Sequence, residues 1–211
     1  MLDAVYYFLF KKRRQKYLED MYQMIDPWSA ELSRPRIETF LKNRLTKTFN
    51  ECLDVGCGEG LFAEALSSVS RHYTGVDVSK TAIQRAKSRN IKIQNAEFVK
   101  ADFDELEKVH KKYDLLCFNF VLDYLGFQKH PKRFSRYLYT ALKTVTSPEC
   151  TVVIFNPVYK DEEFEKTNQY IYLFNNFGFR VVYKEIIQEN TFKIACIELQ
   201  KTSAAEVKTP N

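Results

Sequence analysis

The sequence predicts an α/β fold, a Rossmann-like doubly wound sheet of seven mostly parallel strands. From residue 51 onward, short apolar runs alternate with longer segments of helical periodicity, which is typical of parallel strands joined by helical crossovers. A cluster of glycines directly follows the first run, and the last two runs are separated by only a few residues. The length of 211 residues corresponds to a single domain.

The predicted strands are short runs rich in β-branched and aromatic residues. They cover residues 51–55, 72–77, 96–100, 113–119, 150–156, 179–185 and 191–199. The connection 186–190 is too short for a helical crossover. The last two strands are therefore expected to form an antiparallel hairpin at one edge of the sheet.

Helices are predicted between the strands, with start and stop signals at several ends. They cover residues 61–69, 80–89, 132–145 and 161–177. Ser79 is expected to cap the second of these helices, and Gly178 to close the last one.

Two further helices are predicted before the first strand, over residues 2–24 and 36–46. Asp26-Pro27-Trp28 and Pro35 are expected to separate them. We expect residues 1–48 to be an N-terminal helical extension of the same domain, residues 49–200 to form the sheet domain, and residues 201–211 to be a flexible tail.

The composition excludes several classes of protein. Hydrophobic residues make up 45% of the chain and charged residues 28%, which excludes disordered, collagen-like and coiled-coil proteins. Five cysteines without C-x-x-C spacing indicate neither a disulfide framework nor a zinc site, and they favour a cytoplasmic protein with reduced thiols. The apolar run 4–10 is too short to span a bilayer and has the wrong polarity for a signal peptide.

Positive charge is concentrated near the N-terminus. The net charge is +5, and the first 50 residues carry ten Lys and Arg against six Asp and Glu. A uniformly basic nucleic-acid surface is therefore not indicated. The basic run 11–16 is typical of a solvated helix face, and the alternative is contact with an anionic surface.

Glycine is scarce and clustered. The chain has six glycines, where average usage of about 7% would give roughly 15. Three of them, Gly56, Gly58 and Gly60, follow the first strand in a G-x-G-x-G pattern. This spacing differs from the dinucleotide and P-loop patterns. Asp54, two residues earlier, favours a ligand that carries an ammonium group and no pyrophosphate.

Carboxylates follow the next two strands. Asp77 ends the second strand, where a lone carboxylate accepts hydrogen bonds from the ribose hydroxyls of an adenosine group. Asp102 and Phe103 follow the third strand, where they offer an acceptor for the adenine amino group and an aromatic plane beside the base. A helix cap is the alternative interpretation of Asp102.

Four motifs occur in an order that resembles the class I S-adenosylmethionine-dependent methyltransferases. They are LDVGCGEG at 53–60, TGVD at 74–77, KADF at 100–103 and YDLLCFNFVLDYL at 113–125. Tyr22, Asp26-Pro27-Trp28 and the VLDYLG segment at 121–126 are in addition similar to nodulation-factor N-methyltransferases. The resemblance to the class I family implies a methyltransferase that uses S-adenosylmethionine as cofactor and methylates nitrogen or oxygen of a small molecule. The similarity to the nodulation-factor enzymes favours an amine on a sugar or on another small molecule as acceptor.

The resemblance also implies roles for individual residues. Asp54 and Gly56 would lie near the methionine part of the cofactor, Gly58 would let the backbone approach it, and Asn119 and Phe120 would flank the sulfonium. Asp77 would hold the ribose, and Asp102 and Phe103 would frame the adenine. Further candidate cofactor-binding residues are Cys57, Val78 and Tyr22, and the alternative for Tyr22 is simple packing.

Methyl transfer is an in-line displacement that needs no metal or covalent residue, although a positioned base contributes about 10²–10⁴-fold. Asp123 and His130 are the candidate bases, with a surface carboxylate and an exposed loop histidine as the alternatives. An anionic acceptor such as a nucleotide sugar is favoured by a basic group that consists of Lys129, Lys132, Arg133 and Arg136. The alternative is that these residues are only the polar side of an amphipathic helix.

Two other functions remain open at this stage. In the first, the acceptor is RNA or protein. This function predicts salt-sensitive RNA binding through the basic segments 11–16 and 129–136. A non-catalytic, regulatory protein that binds S-adenosylmethionine is the other alternative. No integral membrane segment is expected, and the sequence leaves the oligomeric state open.

Overall fold

The computed structural model describes residues 2–24, 30–102, 105–106, 111–125, 131–158, 162–188 and 193–202. The strands are β1 (Phe49–Val55), β2 (Ser70–Asp77), β3 (Ala96–Lys100), β4 (Tyr113–Asn119), β5 (Thr146–Val158), β6 (Phe179–Gln188) and β7 (Lys193–Lys201). The helices are α1 (Leu2–Met24), α2 (Ala30–Arg44), α3 (Ala63–Ser68), α4 (Lys80–Arg89), α5 (Pro131–Val145) and α6 (Glu162–Asn176).

The seven strands form one sheet in the order β3-β2-β1-β4-β5-β7-β6. The first five strands in this order pair in parallel, whereas β7 is antiparallel to both of its neighbours. The predicted fold class and the antiparallel hairpin at the edge are therefore confirmed. The strand order reverses at β1, which places ligands beyond the carboxyl ends of β1 and its neighbours.

Apolar side chains cover both faces of the central strands. In β1, Leu53 and Val55 belong to one buried cluster, while Phe49 and Cys52 belong to the other. Burial on both faces explains the continuous apolar runs Leu115–Phe118 in β4 and Val152–Phe155 in β5. All five cysteines are buried and carry free thiols.

Local signals set several of the predicted boundaries. The Ser79 hydroxyl accepts a hydrogen bond from the Ala82 amide at 3.0 Å, which caps α4 as predicted. Gly178 follows α6 with a φ of 80°, the left-handed conformation that commonly ends a helix. No described helix is long and apolar enough to cross a membrane.

Two predicted element starts were wrong by four residues or more. Pro35 does not precede the second helix but lies inside α2. Proline disfavours a helix interior because it lacks an amide donor and crowds the carbonyl four residues earlier. The helix nevertheless continues past Pro35, whose carbonyl accepts from the Thr39 hydroxyl at 2.8 Å. Strand β5 begins at Thr146, four residues early, because Tyr113 pairs with Thr146 before a register shift in the ladder.

Candidate functional site

The glycine turn after β1 is shaped by close contact with two other segments. Gly56 has a φ of 73° and Gly58 a φ of 54°, a region that disfavours residues with a side chain. A Cβ atom at Gly56 would overlap the Val121 side chain, and one at Gly58 would lie 2.7 Å from the Tyr22 hydroxyl. Glycine therefore lets β1, the segment after β4, and α1 meet at one point.

A cavity opens at this point. Its walls come from α1, the glycine turn, the end of β2 and the segment after β4. The lining residues are Leu18, Tyr22, Gly56, Cys57, Gly58, Glu59, Leu61, Asp77, Asn119, Phe120, Val121 and Tyr124. Seven of these residues were predicted site residues: Tyr22, Gly56, Cys57, Gly58, Asp77, Asn119 and Phe120.

Asp77 is fixed in this cavity by backbone donors. Its Oδ2 accepts from the Gly58 amide at 3.1 Å and its Oδ1 from the Ser79 amide at 2.8 Å. Burial raises the pKa of Asp77 to about 6, and the backbone hydrogen bonds from Ser79 and Gly58 oppose this rise. Each carboxylate oxygen keeps a further lone pair for a ligand hydroxyl.

Asp54 lies in the core beneath the turn, with 1% of its surface exposed. The Tyr73 hydroxyl donates to its Oδ2 at 2.9 Å, and its Oδ1 has no hydrogen-bond partner in the described part of the chain. Burial raises the pKa of Asp54 to about 7, although the hydrogen bond from Tyr73 lowers it. The predicted contact of Asp54 with a ligand ammonium group stays a prediction.

Asn119 and Phe120 form the wall at the end of β4. Phe120 has a φ of 54°, which is uncommon for a bulky residue and is found at functional sites. Its amide donates to the Phe155 carbonyl at 2.8 Å, which fixes the turn to β5. The Asn119 Oδ1 is buried and lacks a hydrogen-bond partner among the described residues, so it can accept one from a ligand.

Asp102 lies at a second cavity that shares Leu18, Gly56, Asp77, Val121 and Tyr124 with the first. Both carboxylate oxygens of Asp102 accept from Arg14 Nη2 at 2.6 Å, and Gln15 Nε2 donates to Oδ2 at 2.9 Å. The side chain of Asp102 therefore binds α1, and its amide donates to the Glu105 carboxylate at 3.0 Å. Its predicted role at an adenine group stays a prediction.

The contribution of α1 to both cavities was predicted only for Tyr22. Leu18 lines both cavities and Arg14 lines the second. The sequence signal was the spacing of four residues from Arg14 to Leu18 to Tyr22, which places the three side chains on one helix face. Glu19 accepts from the Thr81 hydroxyl at 2.6 Å, and this bond fixes α1 to α4.

The remaining predicted residues are only partly described. Val78 lines the second cavity, and Asp123 lies in the 3-10 helix Leu122–Leu125, between the cavity residues Val121 and Tyr124. Phe103, His130 and Lys129 lie outside the described residues. Arg136 is exposed on α5.

These groups fit the cofactor that the sequence resemblance implies. The Asp77 carboxylate suits two ribose hydroxyls, and the unpaired Asn119 Oδ1 suits a donor such as the methionine ammonium. Glycines at 56 and 58 leave room for close approach to the backbone. The cavities meet at Asp77, so one elongated ligand reaches both of them.

Comparisons with known proteins agree with this site. Residues 52–144 match the sequence profile of a family described as methyltransferase domain. A ubiquinone biosynthesis O-methyltransferase from Coxiella burnetii is 33% identical over 78 residues, which are 36% of this chain and 33% of the relative. A probable thiol methyltransferase 2 from Arabidopsis thaliana is 35% identical over 75 residues, 34% of this chain and 30% of the relative. The match thus spans about a third of these curated relatives.

Solved structures share the fold over most of the chain. The N-methyltransferase NodS from Bradyrhizobium japonicum WM9, in complex with S-adenosyl-l-homocysteine, has a TM-score of 0.71 at 20% identity, over 89% of this chain and 98% of NodS. Magnesium protoporphyrin IX methyltransferase from Synechocystis PCC 6803 has a TM-score of 0.64 at 12% identity, over 90% and 97% of the two chains. The predicted resemblance to methyltransferases is confirmed by the profile, and the likeness to NodS confirms the predicted fold.

Proposed function

We propose that this protein is an S-adenosylmethionine-dependent methyltransferase that methylates nitrogen or oxygen of a small-molecule acceptor. One observation carries the proposal: the glycine turn and Asp77 line the same cavity as Asn119 and Phe120. This brings the predicted methionine, ribose and sulfonium contacts together around one space. The methyltransferase profile over residues 52–144 supports the same conclusion.

The bound cofactor supplies a methyl group on a positively charged sulfur, and the chain positions that group. Asp77 holds the ribose through its carboxylate, whose orientation is fixed by the Gly58 and Ser79 amides. Leu18 and Tyr22 of α1 close the cavity from the other side and reduce the access of water. Holding two reactants in line in such a site contributes up to about 7–11 kcal/mol.

The acceptor loses a proton when its nitrogen or oxygen is methylated. Asp123 is the first candidate base because it is in the 3-10 helix that borders the cavity, and His130 is the second. The relatives named as an O-methyltransferase and an N-methyltransferase support a small molecule as acceptor. A sugar or nucleotide sugar is the specific acceptor class that the basic group 129–136 favours.

The acceptor can be identified with labelled cofactor. The protein is incubated with methyl-labelled S-adenosylmethionine and a cell extract, and the label is then measured in small molecules, RNA and protein. We expect label in the small-molecule fraction, with chemically stable N- or O-methyl products. Label only in RNA or protein would replace the proposed acceptor class, and no transfer despite cofactor binding would favour the regulatory alternative.

Asp123→Asn separates a catalytic role from a structural one. If Asp123 is the base, this variant keeps its affinity for S-adenosylhomocysteine and loses about 10²–10⁴-fold in kcat. The pH dependence of kcat should change together with the rate. A variant with unchanged kcat and pH profile would leave His130 as the remaining candidate.

A further inference from the structure

Arg14 of α1 is buried in the wall of the second cavity. Its side chain is only 8% exposed, although arginine is almost never buried without partners. The second cavity is lined by Arg14 together with Asp77 and Asp102, which are predicted to contact the ribose and the adenine. The guanidinium group of Arg14 therefore borders the space in which the adenosine part of the cofactor is expected.

The two terminal nitrogens of Arg14 are held by the protein. Nη2 lies 2.6 Å from each carboxylate oxygen of Asp102, and Nη1 donates to the Tyr124 carbonyl at 3.3 Å. A guanidinium group is planar and rigid. Contacts at two of its nitrogens therefore also fix the position of the third, Nε.

The Nε atom of Arg14 is buried and has no hydrogen-bond partner among the described residues. Buried polar groups are hydrogen-bonded in the great majority of cases, and an unmade bond at a buried charged group is costly. Arginine has donors and no acceptor. The partner that Nε lacks is therefore an acceptor atom, and a ligand in the second cavity can supply it.

Adenine has the pattern that Arg14 and Asp102 complement. Its amino group donates hydrogen bonds, and its ring nitrogens accept them. Arg14 offers a donor at Nε, and the carboxylate of Asp102 is an acceptor group at the same cavity. The two side chains are joined by their ion pair, so the donor and the acceptor keep a fixed relative position.

We propose that Arg14 is a cofactor-binding residue that donates from Nε to a ring nitrogen of the adenine. This inference rests on the proposed function, because the adenine belongs to S-adenosylmethionine. Through Nη2 the same side chain holds Asp102 for its predicted contact with the adenine amino group. Helix α1 then takes part in recognising the base and does not only cover the cavity.

The test compares the full-length wild type with Arg14→Lys by calorimetry. Lysine keeps a positive charge for Asp102 but has no nitrogen at the position of Nε. The ligands are S-adenosylhomocysteine and its 1-deaza, 3-deaza and 7-deaza analogues, in each of which one ring nitrogen is replaced by a C–H group.

We expect the wild type to bind one of these analogues about 10–100-fold more weakly than S-adenosylhomocysteine, which is the usual effect of losing a hydrogen bond to a charged group. Arg14→Lys should bind S-adenosylhomocysteine more weakly by a similar factor. It should bind that one analogue as well as it binds S-adenosylhomocysteine, because the two changes remove the same contact.

Arg44→Lys is the matched control. Nε and Nη2 of Arg44 both lie 2.9 Å from Oε2 of Glu198, whose side chain is 6% exposed. Arg44 lines neither of the two cavities. This variant therefore alters a comparable pair of arginine and buried carboxylate, and its affinities for all four ligands should equal those of the wild type.

Equal affinity of the wild type for all four ligands would overturn the proposal, whether or not Arg14→Lys folds. A loss that persists in Arg14→Lys for every weaker analogue would also overturn it. So would tighter binding of S-adenosylhomocysteine by Arg14→Lys, which would show that Arg14 blocks the base. No binding of any of the four ligands to the wild type would contradict the proposed function itself, and this inference with it.

Discussion

Arg14 and Asp102 form a buried ion pair that joins α1 to the end of β3, 88 residues away in sequence. Arg14 Nη2 lies 2.6 Å from both carboxylate oxygens, with the two side chains only 8% and 2% exposed. Arg14 Nη1 also donates to the Tyr124 carbonyl at 3.3 Å. One side chain thus connects α1, the third strand and the segment after the fourth strand at the edge of the cavity.

Replacing Arg14 by alanine should therefore destabilise the protein. The change leaves the Asp102 carboxylate buried without its main counter-charge, which costs about 3 kcal/mol in comparable pairs. The free energy of unfolding in urea is the measurement. Lys16→Ala is the control on the same helix, and its exposed pair with Asp20 should be worth no more than about 0.5 kcal/mol. Similar losses in the two variants would show that the Arg14 pair does not hold α1 in place.

Gly58 and Tyr22 should show energetic coupling. Gly58→Ala introduces a Cβ at a φ of 54°, and that atom would lie 2.7 Å from the Tyr22 hydroxyl. Left-handed strain costs about 1–2 kcal/mol, and the overlap adds to it. Combining Gly58→Ala with Tyr22→Phe removes the overlap but not the strain. In urea unfolding, the double variant should be about 1 kcal/mol more stable than the sum of the two single-variant losses predicts. Strictly additive losses would contradict the contact between Gly58 and Tyr22.

The buried Asp54 should make stability depend on pH. Its pKa is about 7 in the folded protein and about 3.9 in an unfolded chain. Between these values the folded state binds more protons than the unfolded state, so the free energy of unfolding falls as pH rises. The whole decrease is roughly 4 kcal/mol from about pH 4 to about pH 7. Below this window both states are protonated, and Asp54 contributes no dependence.

Asp54→Asn should remove most of this slope in urea titrations at several pH values. A smaller decrease of the same sign should remain, ending near pH 6, because the pKa of Asp77 is also raised to about 6 by burial. An unchanged slope in Asp54→Asn would show that Asp54 is ionised throughout this range.

Asp77 should affect ligand binding more than stability. Asp77→Asn removes an acceptor for the ribose and should weaken binding of S-adenosylhomocysteine about 10–100-fold in calorimetry. Asp114→Asn is a matched control because Asp114 also accepts two backbone amides, those of Asn50 and Glu51. Comparable stability losses are expected in both variants, with unchanged affinity in Asp114→Asn. Equal affinities in the two variants would remove Asp77 from the site.

Local patterns in the sequence predicted most strands of the sheet. The bounds of β3, β4 and α4 agree with those predicted, because each element begins or ends at a local signal such as the Ser79 cap. The start of β5 could not be predicted in the same way. Thr146 joins the strand only through its pairing with Tyr113, which is a long-range contact.

Many residues that line the cavity were also predictable, because the glycine turn and Asp77 lie directly at strand ends. The cavity residues that α1 contributes were not predictable in this way. Arg14 and Leu18 reach the cavity through packing between distant segments, and a basic side chain in a basic run carries no local signal for a buried ion pair. The spacing of four residues along α1 becomes informative once the docking of Tyr22 at Gly58 is known.

Thermal unfolding with S-adenosylhomocysteine, compared with NAD, tests the central claim most directly. A ligand at about 100 times its dissociation constant stabilises a folded protein by about 2.7 kcal/mol. We predict a clear rise in melting temperature with S-adenosylhomocysteine and no rise with NAD, because the G-x-G-x-G turn and Asp77 suit an adenosine ligand without pyrophosphate. A rise with NAD and none with S-adenosylhomocysteine would contradict the assignment of this cavity to S-adenosylmethionine.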